Sequence, residues 1–243
     1  MADAGVEVGR ESPISRFEPV AGVVHTLVLL LLLAAVAVAG YFSTHRQSAD
    51  HNPHRWVFYV TTMAWEWLVF GYIYWGLRRR GKSFRNIAGD RWRGATNFFL
   101  DIAIAFGFWI AALFILSLVA HVVHATGMAE AARILAPQNY LESILWVALS
   151  VTAGICEETI FRGYLQRQLV AWTRSAPVGV ILSALLFGAG HIYQGTKSTV
   201  VIAVYGLLFG ILAEARQNLR PGMMVHAWHD AITGLVVRFL PVK

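Results

Sequence analysis

LESILWVALSVTAGICEETIFRGYLQRQL, residues 141–169, is apolar enough to span a membrane yet holds Glu157, Glu158 and Arg162 in its interior. A charge inside hydrocarbon is costly, so an ionisable residue within an apolar run marks either chemistry or a buried pair. At about 100° per residue, Glu158 and Arg162 stand only about 40° apart on an α-helix, and Glu157 is turned about 100° from Glu158. Glu four residues before Arg is also the favourable order for a helical pair. The spacing predicts that Arg162 neutralises Glu158 and leaves Glu157 free to act as a general base.

The rest of the chain fits a membrane setting. Of 243 residues, 57% are hydrophobic and 14% charged. Soluble domains run nearer half apolar and a quarter charged, so a soluble enzyme is disfavoured. Nine Trp, eight Tyr and fourteen Phe suit membrane interfaces and lipid-facing surfaces. One cysteine rules out an intrachain disulfide and a cysteine-rich zinc module. The net charge of +6 sits in loops between apolar runs, where it sets orientation in the bilayer and gives no reason to expect a nucleic-acid partner.

Seven apolar segments are predicted to be helices: 20–42, 56–77, 97–123, 141–169, 176–193, 198–213 and 223–240. The expected fold is an all-α polytopic bundle of seven to eight helices around an intramembrane cavity. Ala37-Val38-Ala39 has the look of a signal cleavage site, but the first run is longer than a signal-peptide core, so it is read as a retained span. The sixth segment is short and reads as a tilted, short or re-entrant piece. Residues 1–19 read as a flexible cytoplasmic tail, 20–139 as accessory spans and 140–243 as the catalytic core. With the N-terminus inside, thirteen Lys and Arg fall in cytoplasmic loops against six outside. Seven of the thirteen lie in 78–93, so this loop dominates the orientation.

Residues 76–83, GLRRRGKS, formally match a phosphate-binding loop. Such a loop needs a strand before it and a helix after it. Here an apolar span precedes three arginines, and a cytoplasmic anchor is the simpler reading.

Two further motifs place ionisable groups in apolar segments: Phe187-x-x-x-His191 and His226-x-x-x-Asp230. His226 and Asp230 share a helix face. Together with Glu157 they offer a base, two imidazoles and a second carboxylate around one pocket, a set able to activate water and stabilise an oxyanion. The same four residues, Glu157, His191, His226 and Asp230, are the candidate ligands if the cofactor is a zinc ion, although no compact HExxH helix is present. Phe187 is expected to pack on the His191 ring, and His229 to line the cavity edge. Glu66, Asp101, His25, His121 and His124 read as end-of-span or packing groups, with Glu66 the one most open to another role.

The three motifs resemble the CAAX protease and bacteriocin-processing family, also called the Abi family, of intramembrane endopeptidases related to the type II CAAX prenyl endopeptidase. Its pattern is a double glutamate followed by arginine, then FxxxH, then HxxxN or HxxxD. All three stand here in order from Glu157 to Asp230, and the resemblance covers residues 140–240. It implies a helical membrane fold with a catalytic cavity, and hydrolysis of a peptide or protein substrate, a prenylated or membrane protein included, near the bilayer surface. It implies an integral protein of the bacterial inner membrane. By residue, it implies that Glu157 activates water with His191, that His226 and Asp230 stand on the oxyanion side, and that Glu158 and Arg162 support them. The eukaryotic CAAX-processing branch typically has Asn where this chain has Asp230. An ionised Asp cannot donate to an oxyanion, but it can orient His226 or ligate a metal. For His191 to meet Glu157, the fifth segment has to be short, tilted or displaced. Two other functions fit buried Glu, His and Asp: a non-catalytic scaffold or bacteriocin-immunity protein of this fold, and a small proton-coupled transporter.

Overall fold

The computed structural model describes residues 17–49, 54–125, 133–237 and 239. The expected tail lies outside the described residues as far as residue 16, and so do Arg10, Arg16, Arg238 and Lys243 of the charge count. Every described segment of regular structure is helical. In chain order these are α1 (Val23–Ala49), α2 (Arg55–Arg79), the short α3 (Arg85–Ala88), α4 (Ala95–Val122) and α5 (Tyr140–Glu157). After a π-helical stretch (Glu158–Gln166) come α6 (Arg167–Thr173), α7 (Ala176–Gly190), a 3-10 turn (Ile192–Gln194), α8 (Thr196–Arg216) and α9 (Arg220–Val237).

All seven predicted segments are helices, with shifted ends. The sixth is longer than its predicted 198–213: α8 runs 21 residues and is long and apolar enough to cross a membrane. Val23–Thr44, Ala95–Val122 and Tyr140–Thr173 are too, which gives four such helices among the described residues. Large apolar side chains on α1 and α4, such as Val24, Leu31, Phe114 and Leu118, point outward. In water such a surface would drive association, whereas in lipid it is the natural exterior.

Local signals set several ends. Asn139 caps α5 by accepting from the Glu142 amide at 2.9 Å, and Glu142 reaches back to the Gln138 amide at 2.8 Å. This is a capping box shifted by one residue at its return bond. Arg174 ends α6 and Gln217 ends α8, each in the left-handed conformation.

α5 packs between α2 and α9, and α7 packs against α8. Two glycines let α5 and α9 close on each other. A Cβ at Gly154 would stand 2.6 Å from the Met223 carbonyl oxygen, and one at Gly234 would stand 2.1 Å from the Trp146 ring. Small residues permit this approach where no hydrophobic effect drives helices together. Replacing Gly154 by Val is therefore expected to cost at least about 1–3 kcal/mol by overpacking. Thermal unfolding in detergent measures it, and an unchanged midpoint would show that the helices do not need this contact.

At one end of the bundle Asp101 is buried and holds Trp92 Nε1 at 2.8 Å, Arg220 Nε at 3.0 Å and Asn218 Nδ2 at 3.2 Å. It ties the α4 start to the α8–α9 turn, in keeping with the structural role read from sequence. Lys82, one of the seven basic residues of the 78–93 loop, does not face solvent. It is buried, pairs with Glu18 at 2.9 Å and donates to the Pro19 carbonyl at 2.9 Å. Gly76–Arg79 form the last turn of α2, so the GKS match has no strand before it.

The orientation has a direct test. A cysteine at exposed Arg91 should resist an impermeant thiol reagent applied from outside, with buried Cys156 giving little background. Ready labelling there would reverse the assigned topology.

Candidate functional site

The three motifs converge. α5 ends on Glu157, and Glu158 opens the π-helical stretch, so the paired glutamates straddle a change of helix type. The α-helical wheel read from sequence does not hold beyond this point. In a π-helix the bonds run i→i+5 and the turn is wider, yet residues four apart still share a face. Arg162 Nη1 accordingly donates to Glu158 Oε1 at 2.8 Å, with both side chains about 1% exposed.

That ion pair is more than packing. Arg162 Nη2 donates to the Gly206 carbonyl at 3.2 Å, and its guanidinium stands 4.3 Å from the Phe187 ring centroid and 5.0 Å from that of Phe209. Aromatic faces attract a desolvated cation, so the rings join Glu158 in holding it. The same Glu158 oxygen lies 3.0 Å from His226 Nδ1. Nδ1–H donates to the carboxylate, which fixes the ring and leaves Nε2 pointing elsewhere. Nε2 stands 3.7 Å from Glu157 Oε2 and 3.5 Å from Asp230 Oδ2. The double-glutamate and His-x-x-x-Asp motifs thus meet at one imidazole.

His191 caps α7, and its Nδ1 lies 2.8 Å from the Phe187 carbonyl oxygen. The carbonyl can only accept, so Nδ1 carries the proton, and in the neutral ring the lone pair sits on Nε2. The Phe187 and His191 ring centres are 4.8 Å apart, so the expected packing is present.

The difficulty over His191 and Glu157 is resolved by length. α7 ends at Gly190, three residues before the predicted end of its segment, and at 15 residues rises only about 22 Å, short of a hydrocarbon core of about 30 Å. His191 and Glu157 line one cavity of about 700 Å³, walled largely by apolar side chains of α1, α2 and α7. His226 and Asp230 do not line it; they stand behind Glu157. His229, expected at the cavity edge, instead takes a hydrogen bond from Trp109 Nε1 at 3.2 Å and packs on Tyr205.

Glu157 is the least satisfied of these groups. Its side chain is 18% exposed, and Oε2 is buried with no hydrogen-bond partner. A buried carboxylate oxygen without a hydrogen-bond partner is poised to accept a proton. Sequence reading placed one cavity residue wrongly: Glu66, in the middle of α2, is neither end-of-span nor packed away but lines this cavity. The signal that could have found it is the one used for Glu157, a lone charge inside an apolar run.

Among the described residues no group of three or more His, Cys, Asp or Glu is arranged to hold a metal ion. One reason is visible: Glu158 already takes His226 Nδ1, and Asp230 and His191 do not line the cavity together.

Residues 138–232 match the family model described as type II CAAX prenyl endopeptidase Rce1-like. The matched segment begins one residue before the α5 cap and ends two residues after Asp230, so it holds all three motifs. No curated protein and no solved structure matches the chain.

Proposed function

We propose that the chain is an intramembrane endopeptidase in which Glu157 and His191 activate water against a peptide bond held in the cavity. One observation carries the reading: Glu157, whose Oε2 has no hydrogen-bond partner, lines the same cavity as His191, whose own Nδ1 is already satisfied. The Rce1-like match over this segment supports a protease rather than a scaffold or transporter.

Water is held between Glu157 and His191 Nε2. Glu157 takes its proton as the oxygen attacks the carbonyl carbon. The carbonyl oxygen becomes anionic, the C–N bond then breaks, and Glu157 returns the proton to the leaving amine. His226 and Asp230 act from one layer behind. They orient Glu157 through the imidazole, whose Nε2 faces it at 3.7 Å. Glu158, held by Arg162, keeps the imidazole in place. The apolar walls exclude bulk water, which strengthens each of these interactions. The substrate is a peptide or membrane-embedded protein segment.

We favour a mechanism that uses these side chains without a metal. Asp230→Asn should then keep at least about a tenth of wild-type turnover, because its role is to orient rather than to transfer a proton. Cleavage of a peptide panel by purified protein should also be insensitive to chelator. An inactive Asn variant together with a chelator-sensitive wild type would overturn the metal-free reading. No cleavage of any peptide would overturn the protease.

A further inference from the structure

Glu66 is a half-buried carboxylate that the mechanism above does not use. Its Oε2 has no hydrogen-bond partner, and no ion pair reaches it among the described residues. It lines the cavity beside Thr62 and Trp65, with Glu157 and His191 also on the wall. No Lys or Arg lines the cavity among the described residues. Two carboxylates therefore share an apolar chamber without a cation on its wall.

A carboxylate in such a place is costly unless a proton or a cation neutralises it. Glu157 is committed to water in the reading above. Glu66 is not, and no Lys or Arg among the described residues pairs with it. We propose that the partner arrives with the substrate: Glu66 is a subsite for one basic side chain, Lys or Arg, close to the scissile bond of an otherwise apolar segment. A backbone N–H would leave the charge uncompensated, whereas an ammonium or guanidinium removes it. The apolar stem of Lys or Arg suits the same wall, packing beside Trp65 while its head reaches Glu66.

The inference rests on the cavity being the substrate site of a protease, and its test keeps the two apart. Apolar peptides would carry Lys, norleucine or Glu at one position, walked across the sequence on both sides of the cut. Their binding is read by fluorescence anisotropy on Glu157→Gln protein, and their cleavage on wild type. At one position Lys should bind at least about tenfold more tightly than norleucine, as expected for a charge-assisted pair in a water-poor site. Glu should bind most weakly. Adding Glu66→Gln should bring the Lys-to-norleucine ratio near one. Equal binding of Lys and norleucine at every position would overturn the subsite, and that comparison does not depend on the Glu66 variant folding. A Lys preference that survives Glu66→Gln would overturn it as well. Cleavage without a Lys preference sinks the subsite and leaves the protease. A Glu66-dependent Lys preference without cleavage sinks the protease and leaves the subsite.

Discussion

Glu158→Gln is expected to lower stability by about 3–5 kcal/mol, the range for breaking a fully buried ion pair by removing one partner. Arg162 would keep its aromatic neighbours and the Gly206 carbonyl but lose its counter-charge. Activity should fall too, because the same Glu158 oxygen holds His226. The two effects separate in a double variant. Glu158→Met with Arg162→Met removes both charges, and apolar replacement of a whole buried pair is often neutral or stabilising. Thermal unfolding should recover while turnover stays low, since nothing then fixes the imidazole. Recovery of both would reduce Glu158 to a packing residue.

Glu157→Gln should behave in the opposite way. The unpartnered Oε2 gives no hydrogen bond to lose, and the amide is close to the carboxylate in shape. Thermal stability should stay within about 1 kcal/mol of wild type, because the one contact at stake, Oε2 to His226 Nε2, is a long 3.7 Å. Turnover should drop about 10²–10⁴-fold, the contribution of a positioned general base. A large loss of stability in this variant would mean that Glu157 is tied into the bundle more tightly than its free oxygen indicates.

Much of this arrangement is legible in the sequence because membrane helices advertise themselves. Long apolar runs gave the helices, and each motif stood out as ionisable groups where lipid disfavours them. The Glu158–Arg162 pair followed from spacing alone. What stayed hidden depends on contacts between distant segments. The π-helical stretch needs i→i+5 bonding, which no local propensity announces. The α7 end at Gly190 was masked because Ile192 and Tyr193 continue the apolar run beyond it. The Glu158–His226 bond joins residues 68 positions apart. Glu66 reaches the site only because α2 packs on α5, and Lys82 is buried only because Glu18 and Pro19 fold back over it.

Glu157 is expected to drive water onto a peptide bond. This is tested by incubating wild type and Glu157→Gln, each purified, with a library of apolar peptides in ¹⁸O-labelled water and reading the products by mass spectrometry. Wild type should yield new C-termini carrying the label, and Glu157→Gln, folded to the same extent, should yield essentially none. An intact library with wild type, or equal labelled product from both proteins, would contradict the account.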